Sequence, residues 1–486
     1  MRLSKLLEGL EGELFYDGKN AEREISSLSH DSRENCKECL YFCLTGGKTD
    51  GHMYAEKAIK QGAFAVVTER KLNVAVPQFI VKNSRVALSL IAARYYGNAA
   101  EHLKIIGITG TNRKTTTAHM LAAILEAAGK KVGVIGTLGV EYGEKIMSAE
   151  LTTPDPLQLH KTFAEMFLLG IEYVVMEVSA HALYYDKVAG IEFESCIFTN
   201  FTQDHLDFFS SMPAYQQAKS KLFLPQVCKI AVCNGDDETG RNFGERRVNA
   251  KTVYYGLSTP TDAFAVITDE GLLKTECMFN INDELARVIL HFTGKHNVYN
   301  ALAAASCAIE LGVSAKWVAK GLSELKGVDG RLESVGKWNG AHIFVDFAHT
   351  PDGLKQSLSA LKSHCKKRLI CLFGCGGNRD KSKRAIMGEN VAKLCDFCVL
   401  TSDNPRYEDP MDILSEVEKG YRRFSLKYVI VPQREKAIEY AVDCLKPGDI
   451  LLVAGKGGEN YQEIMGIKYP FKDNDIIKKT MEKKRL

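Results

Sequence analysis

The segment GITGTNRKTTT, Gly107 to Thr117, constrains this chain most, because it joins an apolar run to a long helical pattern. LKIIGI (Leu103 to Ile108) reads as a buried parallel strand, and TTTAHMLAAILEAAG (Thr115 to Gly129) as an alanine-rich helix closed by a glycine. The turn therefore opens a helix, where unpaired backbone N–H groups carry partial positive charge and attract phosphate. Gly110, Thr111, Asn112, Arg113, Lys114, Thr115 and Thr116 are the candidate nucleotide-phosphate residues, with the Lys114 ammonium suited to phosphate oxygens and the Thr115 hydroxyl to Mg²⁺. Loops of the GxxxxGK[ST] kind carry glycine before the Lys-Thr pair, and here that place holds Arg113. Its side chain can strain the turn, obstruct the pocket or pair with phosphate oxygens, three outcomes the sequence leaves open.

At 486 residues the chain is long for one hydrophobic core, and a typical domain of about 150 residues suggests about three. Its 63 basic and 60 acidic side chains are interspersed, and a net charge of +3 gives no electrostatic reason to expect nucleic acid or a membrane as partner. The opening MRLSKLLEGLEGELF mixes acids into its apolar residues, unlike a signal peptide, and no later stretch is long enough to span a bilayer. The expected location is the cytoplasm, without membrane insertion. The 14 cysteines are scattered, often inside apolar runs such as CIF at Cys196 and ICLF at Cys371, where they act as small hydrophobes. Cys36/Cys39 and Cys395/Cys398 have zinc-knuckle spacing, but they lie far apart and neither has a companion Cys or His pair, which argues against a shared metal site.

Three blocks follow along the chain. Residues 1–98 alternate short apolar runs (LYFCL, FAVV, QFIV) with helical segments and close on ALSLIAARYYG. Residues 99–328 carry the phosphate loop, then VGVIGT, YVVMEVS, CIFTNFT and IAVCNGD, a parallel-sheet order with functional residues at strand ends. Residues 329–486 bring HIFVDF, RLICLFG, FCVLTS, YVIV and DILLVAG, each followed by a helix or a glycine turn, as in a doubly wound sheet. The fold class is therefore α/β in three domains, with a central P-loop-type ATPase sheet and a C-terminal Rossmann-like doubly wound domain.

Glu177 ends the strand EYVVMEV, where a carboxylate at the tip of a parallel strand beside the loop can bind Mg²⁺ opposite Thr115. The next strand ends in TNFTQDHLDFF, crowding Asp204, His205 and Asp207, with Lys219 beyond them in AYQQAKSKLF. Mg²⁺ prefers oxygen, so these residues alone leave His205 a hydrogen-bonded structural histidine and Lys219 a surface lysine.

GITGTNRKTTT, LTTPDP, MEVSAHAL, FTNFTQDHLDFF, GKHNVYNALAA, DGRLESV, VDFAHTPDGL, FGCGGNRDKSKR, TSDNPRYEDP and AGKGGENYQ come in the order of the Mur ligases. Over nearly its whole length the chain resembles that family, and within it the members that add the third residue of the peptidoglycan stem. The resemblance implies a monomer with one domain for the UDP end of its substrate, a central ATPase and a C-terminal domain for the incoming amino acid. It implies ATP and Mg²⁺ as cofactors, and UDP-N-acetylmuramoyl-L-Ala-D-Glu and a diamino acid as partners. The D-Glu side-chain carboxylate would take the γ-phosphoryl group, and an amine would attack the acyl phosphate. By the same resemblance Lys219 is the lysine carbamylated by CO₂, an anionic oxygen ligand for a second Mg²⁺ near His205, while Thr115 and Glu177 hold the first. Lys114, His205, Lys219 and Arg331 form the implied catalytic set. Asn297 in GKHNVYN and Arg331 in DGRLE resemble adenine and phosphate contacts, with Asp346 and His349 following on the third domain's strand.

Ser32 in HDSR and the turn TGGKTDGH (Thr45 to His52) match the uridine end, although DSR also reads as a cap or turn. Thr152, Thr153 and Ser179 match contacts to sugar and peptide, and Lys187 stands where a substrate-contacting arginine is expected. Arg379, Asp403, Asn404, Arg406, Gly455 and Glu459 fall on the amino-acid pocket. DNPR resembles the version that adds meso-diaminopimelate, in which Arg406 would pair with the distal carboxylate that lysine lacks and Glu459 with the remote ammonium. The chain departs from the pattern at Arg113, Ala180, Tyr185, Lys187, Gln203 and Gly458. A ligase adding L-lysine, and a degenerate paralogue that binds nucleotide without ligating, are the alternatives.

Overall fold

The computed structural model describes residues 1–15, 23–47, 49–148, 150–258 and 260–483. The chain forms two compact units that no single cut in the sequence separates: Met1–Gly107 with Lys131–Glu194 and Leu224–Lys229, and Ile108–Lys130 with Ser195–Phe223 and Ile230–Leu486.

In the first unit a five-stranded sheet runs Glu13–Phe15, Gln78–Ile80, Ala65–Thr68, Cys39–Phe42, Ser27–Ser29, parallel except for its first pair. The run CLYF is apolar throughout because both its faces are covered: Leu40 and Phe42 pack with Leu6, Val67 and Ile91, Cys39 and Tyr41 with Ala55, Ala58 and Val66. Tyr173–Glu177 pairs in parallel with Val132–Gly136, which folds back through Gly139–Tyr142 and Lys145–Met147. The helix Pro156–Leu168 starts where Asp155 accepts from the N–H groups of Leu157 and Gln158 and Pro156 fixes the first helical φ.

The second unit holds the helix Lys114–Ala127, and Gly129 at φ +77 stops it as the glycine ending requires. The preceding strand spans Lys104–Thr109, one residue later than the apolar run suggests. Cys228–Asn234, Lys251–Gly256 and Ala263–Glu270 are parallel and continue into an antiparallel meander, Thr275–Ile281 and Glu284–Leu290. A six-stranded sheet follows in the order Glu333–Trp338, Ala341–Asp346, Ile450–Ala454, Leu369–Phe373, Phe397–Leu400, Tyr428–Ile430, parallel beyond its first pair. Alternate residues of LICLF feed two cores, Leu369, Cys371 and Phe373 on one face and Ile370 and Leu372 on the other, so helices cover both sides. Its strands end at Asp346, Phe373, Leu400 and Ala454, and the loops beyond them carry the residues singled out in this region.

The terminal helix Asp473–Lys483 is pinned by Arg434, whose Nε and Nη2 meet Asp473 Oδ1 and Oδ2 at 2.8 and 2.7 Å with both side chains out of contact with solvent. A bidentate pair of this kind is strongly destabilised by removing one partner, because the other charge stays buried. Asp473→Ala should lower the unfolding free energy by about 3–5 kcal/mol in urea titration, and the joint replacement Arg434→Met/Asp473→Ala by clearly less.

Candidate functional site

The phosphate-loop residues of the second unit are held from below by the end of the strand Phe193–Phe198. Gly110 lies so close to Thr199 Oγ1 that any Cβ would overlap it, which makes glycine obligatory there. Thr111 N–H donates to Asn200 O at 2.9 Å, and its hydroxyl donates to Thr202 O and accepts from Thr202 N–H. Asn112 N–H donates to Asn200 Oδ1, and its side chain reaches Asp352 Oδ2 at 3.2 Å and Thr350 Oγ1 at 3.3 Å. The loop is thus clamped at each of its first three residues. Thr116 is buried in the first helical turn.

Arg113 takes the left-handed conformation, φ +77, in the place where glycine is unstrained, so a strained turn, one of the three outcomes the sequence leaves open, is present. Its guanidinium donates to Gln356 Oε1 at 2.8 Å and lies 5.3 Å from the Tyr299 ring centroid. Lys114 Nζ donates to Gly110 O and Thr111 O, both at 3.0 Å. Lys219 Nζ donates to the same Gly110 carbonyl at 2.9 Å from a fully buried position beside the Tyr215 ring. Burial, and then the charge of Lys114, push the Lys219 pKa well below that of an ordinary lysine. Arg331 Nη2 donates to Thr115 Oγ1 at 2.9 Å and stacks on Phe347, and the neighbouring Asp346 accepts from Leu332 N–H, Ala348 N–H and Ser357 Oγ. Asn297 is buried, donating to Thr293 O and accepting from Asn300.

Beside the loop, buried Asp204 gathers three basic side chains: Lys383 Nζ at 3.0 Å, His205 Nε2 at 3.5 Å and His349 Nε2 at 3.8 Å. Burial alone would raise its pKa, but these three neighbours hold it well below the usual carboxylate range. His205 has φ +57 and meets the Tyr215 ring edge to face. Gln203, one of the departures, donates to Asp380 Oδ2 and Ser382 Oγ, and Arg379 approaches Asp207 Oδ2 at 3.8 Å.

At the strand ends of the six-stranded sheet, Asp403 Oδ2 is buried with no hydrogen-bond partner among the described residues and lies 2.5 Å from where a Cβ on Gly455 would stand. Asn404 is fully engaged, accepting from Lys456 Nζ and Glu463 N–H and donating to Glu459 Oε2. Lys456 Nζ also meets Glu459 Oε2 at 2.9 Å. Arg406 donates to Glu463 Oε2 and Gly377 O.

The first unit assembles a second group. Glu177 accepts from Thr137 N–H at 2.8 Å and from its hydroxyl at 3.3 Å, and Thr137 Oγ1 lies 3.2 Å from Thr152 Oγ1. Thr153 Oγ1 donates to Glu177 O and accepts from Ser179 N–H, while Ser179 Oγ caps the helix Ala180–Tyr184. Lys187 Nζ donates to Thr153 O, and burial lowers its pKa. Tyr185 receives the Arg85 guanidinium over its ring. Ser32 is buried near Tyr41. Lys48, within the turn Thr45 to His52, lies outside the described residues.

Sequence reasoning passed over Thr199, Asn200, Lys383, Gln356 and Glu463. The first two sit in FTNFTQDHL, which had been singled out, and Lys383 in the run RDKSKR; Gln356 and Glu463 carry no motif. The cysteines are free thiols, Cys395 and Cys398 with pKa values pushed well up by burial and Cys36 and Cys39 buried likewise. Among the described residues no helix is long and apolar enough to cross a membrane.

A helix-opening loop with two lysines on one of its carbonyls, set in an α/β framework, defines a nucleotide-binding protein of the phosphate-loop class. Residues 24–125, 108–308 and 330–457 match, in turn, the families described as Mur ligase family, catalytic domain; Mur ligase middle domain; and Mur ligase, glutamate ligase domain. The UDP-N-acetylmuramoyl-L-alanyl-D-glutamate--2,6-diaminopimelate ligase of Caldanaerobacter subterraneus is 40% identical over 483 residues, covering 99% of each chain. The enzyme of the same name from Clostridium tetani is 39% identical over 99% of each. A solved structure of a ligase of that name is 29% identical with a TM-score of 0.71, covering 100% of this chain and 99% of its own. The MurF ligase of Thermotoga maritima in complex with ADP, 21% identical with a TM-score of 0.64 over 95% of this chain and 98% of its own, shares the fold. The chain belongs to the Mur ligase family, with its three-domain α/β architecture.

Removing Lys383 leaves a buried carboxylate without its closest cation, so Lys383→Met should lower the unfolding free energy by about 3 kcal/mol near neutral pH. Asp204 has a lower pKa folded than unfolded, so the stabilisation is complete above the unfolded value of about 4 and is lost as pH falls through the folded one. The gap between the chain and Lys383→Met should accordingly narrow below about pH 4 in denaturant titrations across pH.

Proposed function

We propose that this chain is an ATP-dependent amide ligase that joins meso-diaminopimelate to the D-Glu side-chain carboxylate of UDP-N-acetylmuramoyl-L-Ala-D-Glu in the cytoplasm. Relatives at 37–40% identity over essentially the whole chain carry the name of that reaction. The observation that carries the choice of amino acid is the turn Asp403–Arg406. A buried carboxylate oxygen of Asp403, without a hydrogen-bond partner among the described residues, offers an acceptor to an ammonium, and Arg406 offers N–H donors to a carboxylate. Lysine has no second carboxylate for that guanidinium. Gly455 leaves no side chain against the Asp403 oxygen, since a Cβ there would stand 2.5 Å from it.

Residues 1–98 serve the UDP-sugar in this reading, 99–328 the nucleotide and 329–486 the amino acid. Ser32 acts at the uridine end, Thr152, Thr153, Ser179 and Lys187 at the sugar and peptide, and Arg379, Asn404 and Glu459 around the diamino acid. Lys114 neutralises phosphate charge, Arg331 steadies the transferred phosphoryl group, and Asn297 lies at the adenine end. Among the described residues no three His, Cys, Asp or Glu side chains cluster as a ready metal site. Mg²⁺ keeps waters and substrate phosphates as ligands and takes few from protein, and the second unit offers the Thr115 hydroxyl for one ion and His205 with a modified Lys219 for another. When bound, Mg²⁺ supplies charge neutralisation for phosphoryl transfer. The lowered pKa of Lys219 favours the neutral amine, the form that attacks CO₂; the new N–C bond and loss of one proton give a carbamate anion with two oxygen donors.

The strain at Arg113 favours the second reading, a paralogue that holds nucleotide without ligating. Against it, the guanidinium is engaged with Gln356 and Tyr299, and Lys114, Thr115, His205 and Lys219 all remain.

With ATP, Mg²⁺ and the UDP-dipeptide, mass spectrometry should detect the diaminopimelate adduct, formed far faster than the lysine adduct. A faster lysine product overturns the amino-acid choice, and ATP hydrolysis without any adduct establishes the second reading. In ¹³C-bicarbonate, a carbamate resonance is expected from the chain and none from Lys219→Ala.

A further inference from the structure

The fork of Arg406 is set by one side chain to which no role attaches so far. Arg406 stands at φ +52, and its main chain is caught by the hairpin Tyr461–Ile464 and Ile467–Pro470. Arg406 N–H donates to Glu463 O at 3.1 Å and Met465 N–H to Arg406 O at 2.7 Å. The same strand engages the two preceding site residues, Gln462 Nε2 donating to Asp403 O and Glu463 N–H to Asn404 Oδ1. On the guanidinium, Nε donates to Glu463 Oε2 at 3.0 Å and Nη1 to Gly377 O at 2.8 Å. Gly376 closes the remaining space, for a Cβ there would stand 2.9 Å from Nη1. Nε and Nη1 are thus fixed from two sides, and Nη2 has no hydrogen-bond partner among the described residues.

We infer that Glu463 is a positioning residue for the proposed reaction, orienting Arg406 so that Nη2 and the edge beside it face the distal carboxylate of the incoming diamino acid. An arginine side chain has four rotatable bonds, and holding its fork in advance removes an ordering cost from binding. The hairpin is a separate two-stranded sheet whose second strand is exposed throughout, so its built-in task is local: it braces the turn Asp403–Arg406. The carboxylate of Glu463 also offsets the positive charge of Arg406, so an uncharged residue of the same shape keeps the orientation while removing a competitor for the guanidinium.

The inference rests on the proposed function, and the test separates the two. Glu463→Ala and Glu463→Gln are compared with the unaltered chain in steady-state ligation of diaminopimelate and of lysine, with KM for ATP measured alongside. Glu463→Ala should raise KM for diaminopimelate about tenfold, the effect of losing one charge-assisted hydrogen bond, and leave KM for ATP and the slow lysine reaction unchanged. Glu463→Gln should match the unaltered chain or fall below it in KM for diaminopimelate. In an Arg406→Ala background, Glu463→Ala should add nothing. Unchanged KM for diaminopimelate in Glu463→Ala, or an equal rise in KM for ATP, overturns the inference. If Glu463→Ala does not fold, Glu463→Asp, which withdraws the carboxylate by one methylene, must show the same selective rise or the inference falls. Failure of the unaltered chain to ligate diaminopimelate overturns the proposed function instead.

Discussion

Two lysine side chains meet on the carbonyl of Gly110, and the rest of the second unit is arranged around that convergence. Burial, and then the charge of Lys114, work against a proton on Lys219 and push its pKa well below that of an ordinary lysine. Lys114 lies part-exposed on the first helical turn, where phosphate would be met. The contact requires the loop to pass over Thr199 with no side chain at position 110, so glycine, the strand end beneath it and the buried lysine form one constraint.

A second charge arrangement runs through Asp204. Its carboxylate belongs to the segment after the strand Phe193–Phe198, while Lys383 and His349 come from the six-stranded part of the same unit. Gln203 with Asp380 and Ser382, Asn112 with Asp352, and Arg113 with Gln356 add neutral and charged links between the same two regions. Loop residues that read as independent motifs in the sequence are therefore one bonded set, and it groups Ile108–Lys130 with Ile230–Leu486 in one compact body.

The phosphate loop and the doubly wound sheet were legible because local chemistry dictates them: buried parallel strands are apolar throughout, and a glycine-lysine-threonine turn before a helix has few other uses. The helix start at Lys114 and its stop near Gly129 fell within a residue or two of the reading for the same reason. The compact units were not legible, because each gathers segments far apart in sequence. Lys383 was hidden by its setting, a basic run that resembles a solvated surface although the side chain is buried. Glu463 lay beyond reach, since nothing in YQEI indicates that a strand of a small hairpin will lie beside Arg406. For Arg113 the residue type allowed three outcomes, and the contact that holds its guanidinium comes from a partner 243 positions away.

Arg113 in a left-handed conformation costs about 1 kcal/mol that glycine would not, and its compensating contacts lie on the helix Pro351–Lys362 and on Tyr299. The shape of the loop is therefore borrowed from a distant element. Should that helix fray or undock, the arginine loses its anchor while the backbone keeps its penalty, and the turn relaxes. The conformation of the loop is thereby coupled to the local order of the helix that anchors Arg113.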